Sequence, residues 1–260
     1  MSIQRLRSFT TNWDVIVAII MRETLTRFGK NKIGYLWALL EPVAYVSLFL
    51  SIRNAVAQTV PFGDSMILFV LSGLLCFRAF SSIASRGLKA VSSNNALFTY
   101  PMVKPMDAIF ARIILEAVTM LVVFAIFFSF MHLASDHHII AYPERFGAAM
   151  GGLMVLAAGM SVFNGALNAI MPSWERVFGM IRLPLLLLSG VFYVPKVLPP
   201  EFHPYLEWNP LLNCVEWFRY AMYLDYDPML SQAYVIAFGV TAFALGMLIE
   251  RAYRRKVMKA

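Results

Sequence analysis

The chain has 260 residues, of which 60% are hydrophobic and only 14% are charged. Soluble domains carry roughly 25% charged residues, so this composition excludes a water-soluble fold and points to an integral membrane protein. The formal charge of +7 would suit nucleic acid, but the basic residues gather at the termini and between apolar runs, as membrane topology requires, and no nucleic-acid partner is expected.

The first apolar run, 13–21, is short and ends at Arg22 without a small-residue cleavage pattern, so no cleavable signal is expected. Trp13, Ile16, Val17, Ile20 and Phe28 share one helical face, with Asp14, Arg22 and Lys30 elsewhere on the wheel. Residues 10–32 therefore read as an amphipathic helix lying in the membrane interface, either as a plain surface helix or as one that also docks a second protein. Arg22, Arg27, Lys30 and Lys32, opposed only by Glu23, lead straight into apolar sequence.

A helix crossing about 30 Å of hydrocarbon needs about 20 residues. Six segments qualify: 33–52, 66–85, 108–133, 146–171, 177–195 and 229–250. The expected fold is all-α, with six spans in one membrane domain. An even number of spans puts both termini on one side. That side holds fifteen Lys and Arg against four on the other, which predicts cytoplasmic termini.

Within the first span, Trp37 suits the interfacial belt. Glu41 precedes Pro42, whose ring removes a helical hydrogen bond, so Glu41 marks either an inward, wet surface or a structural ion pair. Arg78 lies inside the second span, where a charge costs about 2.5–3.5 kcal/mol. It would face the bundle interior or a wet cavity, or else snorkel or pair with Glu41. Cys76 and Cys214 are far apart in sequence, and two unpaired thiols are expected.

The loop 86–105 carries SSNNALFTYP, in which Ser92 or Ser93 would cap a short helix and Leu97, Phe98 and Tyr100 offer apolar knobs. Arg112 and Glu116, four apart on one helical face, read as a local ion pair. In the external loop after the third span, Asp136, His137 and His138 are too few for a metal site. Gly147, Gly151 and Gly152 read as close helix packing in the fourth span. Arg182, two residues before Pro184, either lines a pathway or anchors at the interface. The segment 196–228 is too long for a turn and too broken by prolines to cross, and its aromatics suit the outer interface.

Three sets of residues carry a family resemblance. Residues 27–42 read R-F-x-x-N-x-I-G-x-L-W-x-x-L-x-P, the loop after the second span contains ALFTYPMVKP, and the fifth span is followed by SGVFY, Leu198-Pro199 and NPLLNCVEWFR. In this order they resemble ABC-2 type exporter permeases, in particular the inner-membrane subunits that export capsular polysaccharide. Permeases for lipopolysaccharide O-antigen or teichoic acid share much of the pattern.

The resemblance implies a half-transporter: two copies form the pathway, and two separate ATP-binding cassette subunits, holding ATP and Mg, drive it. No G-x-x-x-x-G-K-[ST] phosphate loop occurs in this chain, so it would not bind nucleotide itself. The substrate would be a lipid-linked polysaccharide, carried past Arg78, Glu41, Trp37 and Arg182 and past aromatics able to stack on sugars, Tyr193, Trp208 and Trp217. The loop 86–105 would be a coupling helix seated on the ATPase, with Asn94, Leu97, Phe98 and Tyr100 as candidate contacts beside Arg27 and Phe28. Residues 196–228 would form short re-entrant helices on the external side, where a periplasmic co-polymerase or an outer-membrane partner would meet them.

Two other classes of function make different demands on the sequence. A membrane-embedded glycosyl or acyl transferase needs convergent acids, bases or metal ligands, and the sequence has no H-E-x-x-H, no G-x-S-x-G and no acid pair within the spans. A passive channel or scaffold would not need the two apparent docking surfaces.

Overall fold

The computed structural model describes residues 3–28, 40, 44, 47, 51, 61–63, 65–100, 102–134 and 139–257, with side chains in α1 from Trp13 to Thr26 and in the last helix as far as Tyr253. The predicted first span, 33–52, therefore falls almost wholly outside the described residues, with Trp37 and Glu41. The acid and histidines at 136–138 lie outside them too.

The described elements are helical. In chain order they are α1 (Ile3–Phe28), α2 (Met66–Leu88), a 3-10 helix (Ser92–Thr99), α3 (Pro105–Ala134), α4 (Pro143–Ile170), α5 (Trp174–Leu188), two short 3-10 turns, α6 (His203–Glu207), α7 (Pro210–Met222) and α8 (Gln232–Val257). Four of these, α2, α3, α4 and α8, are long and apolar enough to cross a membrane. They correspond to four of the six predicted spans.

The span predicted over 177–195 takes a different form. α5 has 15 residues, a rise of about 22 Å, short of about 30 Å of hydrocarbon. Pro184 lies inside it, and it stops at Ser189 and Gly190, where φ is +68°, a conformation natural only to glycine. The chain then turns away instead of continuing to residue 195.

α4 is the centre of the bundle, packed on α8, α2 and α7. Its neighbours come close because side chains are missing where backbones meet. A Cβ on Gly159 would stand 2.0 Å from the Gly239 carbonyl oxygen of α8, and one on Gly87 of α2 would stand 2.0 Å from the Ser161 carbonyl oxygen of α4. Such small-residue contacts are how helices associate when surrounding lipid supplies no hydrophobic drive. The predicted packing glycines divide: Gly152 lies under the Trp217 ring, whereas nothing approaches a Cβ on Gly147 or Gly151 within 4 Å.

Two asparagines then lock the loop end of α4. Asn164 donates to the Ala84 carbonyl at 3.2 Å and Asn168 to that of Leu88 at 2.8 Å, both on the last turns of α2. Their oxygens accept from the Trp174 ring at 2.9 Å and the Glu175 amide at 3.0 Å, at the start of α5. An orphan carbonyl of one helix end, that of Leu88, and an orphan amide of another helix start, that of Glu175, are thereby satisfied together.

Gly159→Val drives a branched side chain into backbone, an overpacking cost of at least about 1–3 kcal/mol. It is expected to lower the thermal midpoint of the detergent-solubilised protein sharply, while Gly151→Ala leaves it unchanged.

Candidate functional site

The charged residues fall into two groups with opposite environments. The first is sealed. Arg219 on α7 is 0% exposed. Its guanidinium donates to the carbonyls of Val191 at 3.0 Å and Tyr193 at 3.1 Å, lies over the Phe69 ring of α2 and pairs with Glu216 at 3.4 Å. Glu216 accepts from the Tyr226 hydroxyl at 2.6 Å and the Met229 amide at 3.1 Å. Burial pushes the Glu216 carboxyl above its usual range, against the pull of Arg219 and these two donors.

Asn209 completes the arrangement. It caps α7 by accepting from Leu211 and Leu212 amides, with Pro210 at the first helical position, and it donates to the Leu188 carbonyl at the end of α5 at 3.0 Å. The segments SGVFY and NPLLNCVEWFR thus meet in space, joined by Arg219 and Asn209. Arg219, within the segment 196–228 expected on the external side, is a core residue. The i, i+3 spacing of Glu216 and Arg219 was the available signal.

The second group is open. A cavity of about 610 Å³ lies between the C-terminal ends of α1 and α2, the N-terminal half of α3 and the middle of α5. Its charged lining is Arg22, Arg78, Arg86, Lys89, Arg112 and Arg182 against Glu23 and Glu116, with Ser82, Ser85, Ser93 and Thr26 between them. Six cations face two carboxylates.

Cross-links between elements build this lining. Glu23 of α1 takes Arg112 of α3 at 2.7 Å. Glu116 of α3, 1% exposed, takes Arg86 of α2 at 3.0 Å and the Ser82 hydroxyl. Lys89 reaches Glu175 of α5 at 2.8 Å. Arg112 and Glu116 therefore do not form the local pair expected from their spacing. Each is directed to a different helix, Arg112 to α1 and Glu116 to α2.

The predicted site residues are distributed as follows. Arg78 and Arg182, more than a hundred positions apart, face the same cavity, and the Arg182 Nε is buried without a hydrogen-bond partner among the described residues. Tyr193 is half-buried at the turn held by Arg219. Trp208 is 79% exposed, whereas Trp217 is 3% exposed and belongs to the core. Cys76 and Cys214 are free, buried thiols.

In the loop, Ser92 and Ser93 do not cap: the run has no side-chain cap. Asn94 is buried. Leu97 packs with Ile16 and Ile19 of α1, and Phe98 with Ala90, Val91 and Ile109. Tyr100 and the unpredicted Met102 are the exposed apolar side chains. The described side chains of α1 bury a seam at Ile16 and Ile19 while Trp13 points outward. Arg27 and Phe28 end α1, and their side chains lie outside the described residues. No group of three His, Cys, Asp or Glu able to hold a metal occurs among the described residues.

Bilayer-length apolar helices holding a charged cavity between their ends place this chain in the class of integral membrane transport proteins. It belongs to the ABC-2 type transporter family, whose model matches residues 14–223. It is 30% identical over 237 residues to the polysialic acid transport protein KpsM of Escherichia coli, covering 91% of this chain and 92% of that one. It is also 23% identical to the capsule polysaccharide export inner-membrane protein BexB of Haemophilus influenzae, over 96% and 95% of the two chains. The O-antigen export system permease protein RfbA of Klebsiella pneumoniae is 21% identical over 93% of each. The chain is thus a transport subunit, not an enzyme.

Arg219→Ala takes the cation from a buried carboxyl, which must then stay charged without it or take up a proton, and strips the Val191 and Tyr193 carbonyls of their donor, a loss of about 3–5 kcal/mol. The expected outcome is a protein that fails to accumulate in the membrane or melts far below the parent in detergent.

Proposed function

We propose that this chain is the permease subunit of an ATP-driven exporter that moves a lipid-linked, acidic capsular polysaccharide across the bacterial inner membrane. Two copies form the pathway, each with six membrane helices of which α5 crosses only part of the hydrocarbon, and with short re-entrant helices in 196–228, and two ATP-binding cassette subunits supply energy from ATP and Mg. Both termini are cytoplasmic, and so is the charged cavity. The basic lining is the observation that carries the reading. Six cations against two carboxylates suit a polyanion or the phosphate of its lipid end, and the likeness to the polysialic acid transport protein KpsM and the capsule polysaccharide export protein BexB supports a polysaccharide as cargo. An O-antigen cargo, favoured by the likeness to RfbA, is the second reading. A neutral glycan would make no use of this charge.

The ATPase docks on the segment 97–102. Tyr100 and Met102 supply its exposed apolar contact, while Leu97 and Phe98 hold it to the body of the protein. A charge at Phe98 therefore disturbs the core as well as the contact, and Tyr100 is the cleaner probe. Among outer-face groups, Trp208 offers the open ring for a sugar or an envelope partner.

Purification in gentle detergent from native membranes is expected to recover an ATP-hydrolysing partner in stoichiometric amount. Tyr100→Asp should reduce that recovery without lowering the thermal midpoint, whereas Phe98→Asp should lower both. Recovery of this chain alone, without hydrolysis, would move a passive channel to the front.

Arg78→Gln with Arg182→Gln should slow export roughly tenfold, the equivalent of about one charge-assisted contact, with the partner still bound. Undiminished export of an acidic glycan would sink the assignment of the cavity.

A further inference from the structure

Asn94 is the one buried residue of the Ser92–Thr99 run, at 1% exposure. Its neighbours Ser92, Ser93, Asn95 and Ala96 are exposed. A polar side chain turned inward from a surface segment needs partners, and Asn94 has one for each function. Its oxygen accepts from the Arg22 guanidinium of α1. Its nitrogen donates to the Ala90 carbonyl at 2.8 Å and to the Glu23 carboxylate of α1 at 3.3 Å. The same Glu23 oxygen takes Arg112 of α3 at 2.7 Å.

The chemistry selects an amide. Asn94 meets a cation and an anion side by side on α1, so it must accept from one and donate to the other. An aspartate would satisfy Arg22 and repel Glu23, and an apolar residue would leave both short of a partner. Two of these hydrogen bonds are to charged groups, which makes them the strong kind. Leu97, three residues on, adds an apolar tie to the same helix through Ile16 and Ile19. Arg22, Glu23 and Arg112 in turn form one wall of the charged cavity.

We infer that Asn94 is a positioning residue that clasps the partner-docking segment to α1, so that displacement of the segment moves the Arg22–Glu23–Arg112 wall of the cavity. The inference rests on the docking role proposed above for 97–102. It gives ATP-driven movement a physical route to the cargo site. The surface segment cannot shift without either dragging the end of α1 or breaking two charge-assisted hydrogen bonds.

Hydrogen–deuterium exchange of the complete permease–ATPase complex in lipid nanodiscs, compared with the permease alone, tests this. ATPase binding should slow exchange in 97–102 and also, by about fivefold or more, in 19–26, the part of α1 beyond the contact. With Asn94→Ala the slowing in 97–102 should persist, while 19–26 returns to within about twofold of the unbound permease. Arg22→Ala, which removes the other half of the clasp from the exposed side of α1, should do the same and serves if Asn94→Ala does not fold.

Slowing of 97–102 alone in the parent complex overturns the clasp and leaves the docking surface standing. Slowing of both segments in both variants also overturns the clasp. Loss of both in Asn94→Ala means the residue only shapes its own segment, which again overturns it. Absence of any slowing in 97–102 overturns the docking reading, and the clasp with it.

Discussion

Everything described in this molecule is referred to α4, and α4 can be central because its backbone touches its neighbours. In hydrocarbon, helices gain nothing by hiding apolar side chains from lipid, so they associate through close van der Waals contact and interhelical hydrogen bonds. Gly159 against Gly239 and Gly87 against Ser161 provide the first. Asn164 and Asn168 provide the second, reaching the last carbonyls of α2. These contacts fix where α2 ends and α5 begins, and the charged cavity lies where those two helices meet α1 and α3.

Charge in an apolar setting is handled in two ways here, and burial tells them apart. Arg219 is wholly enclosed, with carbonyls, a carboxylate and an aromatic ring around its guanidinium. It ties α7 to the turn after α5, and its complete enclosure leaves a ligand no way in. Arg78 and Arg182 stand at the edge of an open cavity whose lining is cationic on balance. The same functional group is a structural rivet in one place and part of an open cavity lining in the other.

The segment between α2 and α3 joins these two concerns. Its outward face carries Tyr100 and Met102, and its inward face carries Asn94, Leu97 and Phe98. It is held on one side to the α2–α3–α4 core and on the other to α1. A partner pressing on the outward face therefore acts on the same helix end that lines the cavity.

The sequence by itself determined the class of the protein, because apolar runs of bilayer length and clustered basic residues follow from solvation alone. The starts of α2, α3, α4 and α8 were legible within a few residues for that reason. Their hydrophobicity is a local property. Bringing Arg78 and Arg182 into one cavity was the work of the tertiary structure, as was sending Arg112 and Glu116 to separate helices. So was turning Arg219 and Trp217 into core while leaving Trp208 and Tyr100 outside. A helical wheel gives the direction of a side chain from its own axis, and nothing about which neighbour stands there. The end of α5 at Gly190 shows the same limit. Its apolar residues would extend a helix toward 195, but the positive φ and the carbonyls captured by Arg219, 26 and 28 residues further on, turn the chain away.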